Sequence, residues 1–359
     1  MAIFPPHPRS PQTAEQQQPN TSIPAPATTS TGASDGTRAK QLADRIRMRF
    51  AQTLIGQENL REALITTMIA GGHILIESVP GLAKTTAAQT LATSVSGTFR
   101  RVQCTPDLMP SDLVGTQIFD FSTQQFSTQI GPIHANFVLL DEINRSNAKT
   151  QSAMLEAMAE GATTIGGKRI ALPTPFMVIA TENPIEEEGT FTLPEAQMDR
   201  FMMKSVMTYP SAADETRMLS MLTTRGTDVV DPTIPAQDAL SIADVDFLRA
   251  AARRVHVSEA IMNYAVDLVA TSRGAGSHPI KNLAAKVRLG ASPRASISLV
   301  RIGQAQALLN GRDYVIPEDI KKFVHEIMRH RILLTFEAQA EGTNPDQIID
   351  SIIETVPVP

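Results

Sequence analysis

The stretch Ile74-Leu75-Ile76-Glu77-Ser78-Val79-Pro80-Gly81-Leu82-Ala83-Lys84-Thr85-Thr86 constrains the rest of the chain most. Ile74 to Glu77 predict a buried strand, Pro80 and Gly81 a loop, and Ala83 to about Val95 a helix opened by Lys84-Thr85. In that layout backbone N–H groups curl around phosphates and the helix N-terminus adds positive potential. Lysine then reaches the β/γ-phosphates and the hydroxyl beside it ligates Mg²⁺. The generic pattern G-x-x-x-x-G-K-[ST] asks for glycine at 78 and 83, where this chain has Ser78 and Ala83. Alone, the segment reads equally well as a plain strand–turn–helix.

The 359 residues leave room for two or three domains. Residues 1–34 hold seven prolines and many Ser, Thr, Gln and Ala, a composition that cannot offset ordering entropy, so 1–36 is expected to be a disordered leader. From Thr37 apolar residues recur every four positions (Leu42, Ile46, Phe50, Leu54). A second helix follows Ile55-Gly56-Gln57, with Leu60, Leu64, Ile65, Met68 and Ile69 on one face. Strands are predicted at 73–77, 99–103, 137–142, 176–181 and 201–207, and hairpins at 117–130 and 163–172, the latter turning on Gly166-Gly167. A helix capped by Ser146 or Asn147 runs to Glu160 before Gly161. Alternating strands and helices predict a mostly parallel five-stranded α/β sheet over 37–210. Beyond Pro210 only helices are expected: a linker region at 211–239, a small helical domain at 240–340 and a tail at 341–359.

Net charge −5 and pI near 5.8 argue against a general phosphate-backbone binder, so no nucleic acid partner is expected. No apolar run reaches the length of a membrane span. The single Cys104 excludes an internal disulfide and suits a reducing cytoplasm; its bland reading is a small buried apolar residue.

A second constellation, Asp141-Glu142, ends the most apolar predicted strand. In open α/β sheets ligands collect at strand carboxyl ends, where the phosphate loop also sits. One carboxylate there can hold a phosphate-bound Mg²⁺, and its neighbour can polarise a water for in-line attack. Asn183 ends another strand, and either touches the water or γ-phosphate or merely forms a turn before Pro184. Arg200 and Arg294 are either solvated or poised near a γ-phosphate, where an arginine finger is worth roughly 10³–10⁵ in rate.

Ser78–Thr86, Phe137–Arg145, Ala180–Gly189, Leu193–Phe201 and Leu289–Ala295, in that order, resemble the signature segments of MoxR-type AAA+ ATPases. The similarity covers roughly residues 37–335. It implies an AAA+ core with a helical lid, assembled as a homo-oligomeric ring, commonly a hexamer, with ATP between subunits. By similarity, Ser78, Val79, Pro80, Gly81, Leu82, Ala83, Lys84, Thr85 and Thr86 cradle the nucleotide, and Gly56 and Gln57 line the adenine pocket. Thr85 and Asp141 would hold Mg²⁺. Glu142 is the Walker B glutamate, Asn183 sensor 1, Arg294 sensor 2, and Arg200 the finger offered to the adjacent subunit. Thr116–Ile130 and Thr163–Leu172 fit the inserts that face the pore or the client in related rings.

The resemblance further implies hydrolysis that remodels clients, with von Willebrand factor A domain proteins as partners, and lid rotation against the core as each site closes. Ala83 is usual in the family; Ser78 is not, and a positive φ there would cost serine about 1 kcal/mol or more. Glu182 replaces a usual glutamine and adds negative charge near the site. These two departures suggest a competing nucleotide switch with little turnover; a DNA-acting motor is the third reading.

Overall fold

The computed structural model describes residues 31–79, 81–184, 190–224 and 239–359. Most of the expected leader, Pro80, and most of the linker after 224 lie outside them. The core comprises α1 (Thr31–Thr53), α2 (Glu58–Ala70), β1 (Ile74–Ser78), α3 (Lys84–Thr93), β2 (Phe99–Gln103), α4 (Pro110–Val114), β3 (Gly115–Asp120), β4 (Gln125–Ile130) and β5 (Phe137–Asp141). It continues through α5 (Ala148–Glu160), β6 (Ala162–Ile165), β7 (Lys168–Ala171), β8 (Met177–Glu182), α6 (Glu195–Met198), β9 (Met203–Met207) and α7 (Ala212–Thr224).

Strands β2-β5-β8-β1-β9 form one parallel sheet, while β3–β4 and β6–β7 are separate hairpins. Side chains alternate across the sheet as strand geometry requires. Ile74, Ile76, Phe137, Leu139, Met177 and Ile179 join the cluster under α1–α3; Leu75, Val138, Leu140, Val178 and Ala180 join the one under α5. Asn147 caps α5 by accepting from the Lys149 and Thr150 amides, both at 3.1 Å, and Gly161 ends it at φ 60°.

The lid comprises α8 (Ile242–Arg254), α9 (Glu259–Ser272), α10 (Leu283–Lys286), β10 (Val287–Leu289), α11 (Pro293–Leu309), α12 (Pro317–Lys321), α13 (Val324–Met328), β11 (Leu333–Leu334), α14 (Phe336–Ala340) and α15 (Pro345–Thr355). The expectation of helices alone is corrected by the antiparallel β10–β11 pair, and the helix expected over 317–334 breaks into α12 and α13. The segment expected as a tail carries α15, whose Ile348, Ile349 and Ile352 are buried.

Helix α1 starts at Thr31 rather than Thr37 because its first turns meet the lid. Asp35 pairs with Arg254 at 2.6 Å, and a Cβ on Gly36 would stand 3.0 Å from the Gly311 carbonyl. One apolar cluster runs from α1, α2 and β1 into α8, α9, α11 and α15 without a break. At that seam Gln306 donates to Thr66 Oγ1 at 2.5 Å and Arg249 to the Met68 carbonyl at 2.9 Å.

Candidate nucleotide site

Parallel register sets the carboxyl ends of the strands side by side. Ser78 pairs with Met207, Glu77 with Glu182, and Gln103 with Asp141. The phosphate loop, Asp141-Glu142, Asn183 and the Gly56-Gln57 loop therefore share one edge of the sheet. Gln57 donates to the Thr208 carbonyl just past β9 at 3.2 Å, and Gly56, at φ 73°, sits against Asp214.

The two departures in the loop exchange roles. Ser78 is the buried last residue of β1 and carries no positive φ, so the expected strain there is absent. Ala83, at the N-cap of α3, is the residue in the left-handed region, at φ 58° and ψ 32°, as is Gly81 at φ 86°. Lys84 Nζ folds back toward the Ser78 carbonyl at 3.4 Å, across the loop.

Asp141 is 7% exposed; its Oδ1 accepts from Thr181 Oγ1 at 2.8 Å and its Oδ2 from Arg101 Nη2 at 2.6 Å. Glu142 stands at φ 57°, a conformation non-glycine residues seldom adopt, held by its amide donating to Thr181 Oγ1 at 2.9 Å. Its Oε2 accepts from Gln103 Nε2 at 2.9 Å and from Arg145 at 3.3 Å. Asn183 is buried, its carbonyl accepting from Asn144 at 3.3 Å. The Asp141 carboxylate at the end of β5 and the Thr85 hydroxyl in the first turn of α3, after β1, are both oxygen donors, the type that suits Mg²⁺. Among the described residues no cluster of three or more His, Cys, Asp or Glu points to another metal.

Glu182 does not add uncompensated charge. Lys204 Nζ lies 2.5 Å from Glu77 and 2.7 Å from Glu182, bridging β9, β1 and β8. Burial lowers the Lys204 pKa, but the two carboxylates outweigh it and leave it above its ordinary value. Cys104 is 1% exposed, and burial, with Asp141 nearby, pushes its thiol up to about 12. It packs rather than reacts.

Arg200 and Arg294 are brought together, but not at this edge. Arg200 precedes β9, where the Met202 amide donates to the His73 carbonyl at 2.8 Å, at the strands' amino ends. The length of β1, on the order of 15 Å, separates it from its own phosphate loop. There a cleft of about 330 Å³ is lined by Arg200, Arg294, Arg301, Arg331 and a single acid, Asp199. His73, also in that lining, is held neutral by burial, with a pKa near 4, and accepts from the Val178 amide at 2.9 Å. Arg294 Nε stands 3.8 Å from Asp199 Oδ2. Arg200 donates through Nη1 to the Leu155 carbonyl, while its Nε is buried without a partner among the described residues. Sequence reasoning passed over Lys204, Arg101 and Arg331; the available signal was Lys204, a cation inside a mostly apolar strand, while Arg331, in the polar run Arg329-His330-Arg331, left none.

A phosphate loop after β1, an acidic pair at the end of β5, one strand away across β8, and a following lid define an AAA+ ATPase. The profile of the ATPase family associated with various cellular activities (AAA) matches residues 73–203, and that of the AAA lid domain matches 281–352. Chaperone MoxR1 of Mycobacterium tuberculosis is 40% identical over 329 residues, 91% of this chain and 85% of that protein. Protein MoxR of Methylorubrum extorquens is 30% identical over 342 residues, 89% and 96% of the two chains. A crystal structure from Cytophaga hutchinsonii, described as a "putative ATPase", superposes with a TM-score of 0.83 at 40% identity, covering 92% of this chain and 98% of that one. Within the AAA+ class, the chain belongs to the MoxR family.

Proposed function

We propose that this chain hydrolyses ATP as a homo-oligomeric ring, hexameric by family resemblance, and uses the cycle to remodel client proteins. The observation that carries the proposal is a pair of complementary features at opposite edges of one sheet. The phosphate loop and acidic pair lie at the carboxyl edge, and a cleft with four arginines and one acid lies at the amino edge. Such a cleft suits a polyanion, and head-to-tail packing would bring it to the next subunit's triphosphate. Arg294 then acts in trans together with Arg200. The continuous lid–core cluster favours motion between subunits over rotation within one.

In each site the loop amides of Val79, Gly81, Leu82 and Ala83 and the Lys84 ammonium bind the phosphates. Thr85 and Asp141 would hold Mg²⁺, which neutralises charge developing on the β- and γ-oxygens. Glu142 accepts the attacking water's proton while Asn183 orients that water. Arg200 stabilises transition-state charge from across the interface. The low-turnover switch loses both of its grounds, since Ser78 is unstrained and Glu182 is paired.

The client is proposed from resemblance alone: proteins with von Willebrand factor A domains, met in the cytoplasm. The β3–β4 hairpin offers exposed Phe119, Phe121 and Phe126 for such contact. No helix among the described residues is long and apolar enough to cross a membrane.

Phosphate release from purified protein tests the reading. Lys84→Ala and Glu142→Gln should each abolish turnover. Arg200→Ala subunits should bind ATP yet lose roughly 10³-fold in rate, and mixing them with Lys84→Ala subunits should restore activity at interfaces that keep both groups. No recovery, with mixed assemblies shown to form, would falsify trans action.

A further inference from the structure

Of the four arginines lining the amino-edge cleft, Arg331 differs from Arg294 in being closed to solvent: its side chain is 2% exposed, against 53%. All five of its N–H donors have acceptors, so it has none left for a ligand. Nε donates to Asp199 Oδ1 at 2.7 Å. Nη2 donates to the Asp199 carbonyl at 3.2 Å and the Phe201 carbonyl at 2.7 Å. Nη1 donates to the Met202 carbonyl at 3.3 Å and to the Ile327 carbonyl of its own lid segment. Its neighbours extend the pattern: His330 Nε2 lies 3.1 Å from the Phe201 carbonyl, and Arg329 Nη1 donates to the Lys204 carbonyl at 3.3 Å.

The carbonyls so bound flank Arg200 on both sides. The Asp199, Phe201 and Met202 carbonyls belong to the turn leading into β9, where ladder pairing has not begun and buried acceptors need other partners. Asp199 completes the arrangement: it also accepts from Ser292 Oγ, at 2.9 and 3.0 Å to its two oxygens, and Ser292 caps the helix whose second residue is Arg294. One buried guanidinium and one carboxylate thus fix the backbone that carries Arg200 and the cap beside Arg294.

We infer that Arg331 is a positioning residue for the arginine pair, setting where Arg200 and Arg294 stand on the face offered to the next subunit. The inference rests on the proposed trans action of Arg200. Lysine cannot replace it, since a single ammonium has three donors and no fork. A displacement of about 1 Å at such a group is enough for roughly a 100-fold loss in rate.

The test compares Arg331→Lys, Asp199→Asn and Arg200→Ala by nucleotide binding, by phosphate release at saturating ATP, and by mixing each with Lys84→Ala. Asp199→Asn leaves the Arg331 side chain in place and serves if the Arg331 variant does not fold. Expected for both positioning variants is ATP affinity within about twofold of wild type and turnover lowered roughly 10- to 100-fold. Turnover should return on mixing with Lys84→Ala, as for Arg200→Ala. A purely structural role in the lid would not produce that rescue, because the variant subunit's own phosphate loop would stay impaired. Wild-type turnover in either variant overturns the inference. So does a loss that mixing does not repair while Arg200→Ala is repaired. If Arg200→Ala is not repaired either, the trans reading itself falls and the inference with it.

Discussion

At the scale of single residues, the loop shows how a motif comparison can locate strain at the wrong position. Ser78 looked like the costly departure, yet it is extended, buried and paired with Met207. Ala83 looked ordinary, yet it is the residue at φ 58°. The left-handed conformation costs an L-residue roughly 1–2 kcal/mol, whereas glycine in a strand interior loses entropy and packing worth about 1 kcal/mol. The two glycine substitutions should therefore differ in sign. Ser78→Gly is expected to lower unfolding free energy by roughly 1 kcal/mol, while Ala83→Gly should leave it level or raise it. Chemical denaturation of both variants checks this, and a loss at Ala83 as large as at Ser78 would refute it. Glu142 at φ 57° has the same geometry, but Gln103 and Arg145 hold its carboxylate, so its strain belongs to the site.

At the scale of elements, Lys204 ties three adjacent strands. Lys204→Met would leave Glu77 and Glu182 side by side in register without a counter-charge, at a cost of roughly 3 kcal/mol. The pH dependence fixes the sign. A lysine whose folded pKa is raised contributes stability that is whole below its unfolded pKa, near 10.4, and is lost as pH rises through the folded value. The stability gap between wild type and Lys204→Met should hold from pH 7 to about 10 and shrink above that. Urea titrations across that range read it, and a gap that widens with pH would contradict the pairing. The strands themselves were legible because each leaves a local mark: β5 is apolar up to Asp141, and β6–β7 turns on two glycines. The β10–β11 pair was not, since runs of three and two residues carry no period. The break after α13 was hidden because Arg329, His330 and Arg331 serve contacts in the core, not the helix that carries them. In the site, the carboxyl-edge group was legible as motifs on consecutive strand ends. The edge on which Arg294 stands was not, because its motif segment carries no information about where a lid packs.

At the scale of the whole molecule, the lid is bound to its own core by one apolar cluster and a buried polar seam. Gln306, 1% exposed, sits in the last turn of α11; it donates to Thr66 of α2 and accepts from Lys322 Nζ at 2.8 Å. Truncating it strands a hydroxyl and an ammonium, a penalty of roughly 1–3 kcal/mol. Where that penalty appears distinguishes two pictures of the molecule. If the lid were an independent body, amide exchange would quicken in α9 and α11 while β1 and α2 kept their protection. Because Ile74, Leu64 and Met68 share a cluster with Leu268, Leu299 and Ile302, the two domains should open as one cooperative unit. Native-state hydrogen exchange of Gln306→Ala is therefore expected to show the slowest amides of β1, α2, α9 and α11 losing protection by a common free energy. Loss confined to the lid would restore the hinge between the domains and move the working joint of the ATPase back inside the subunit.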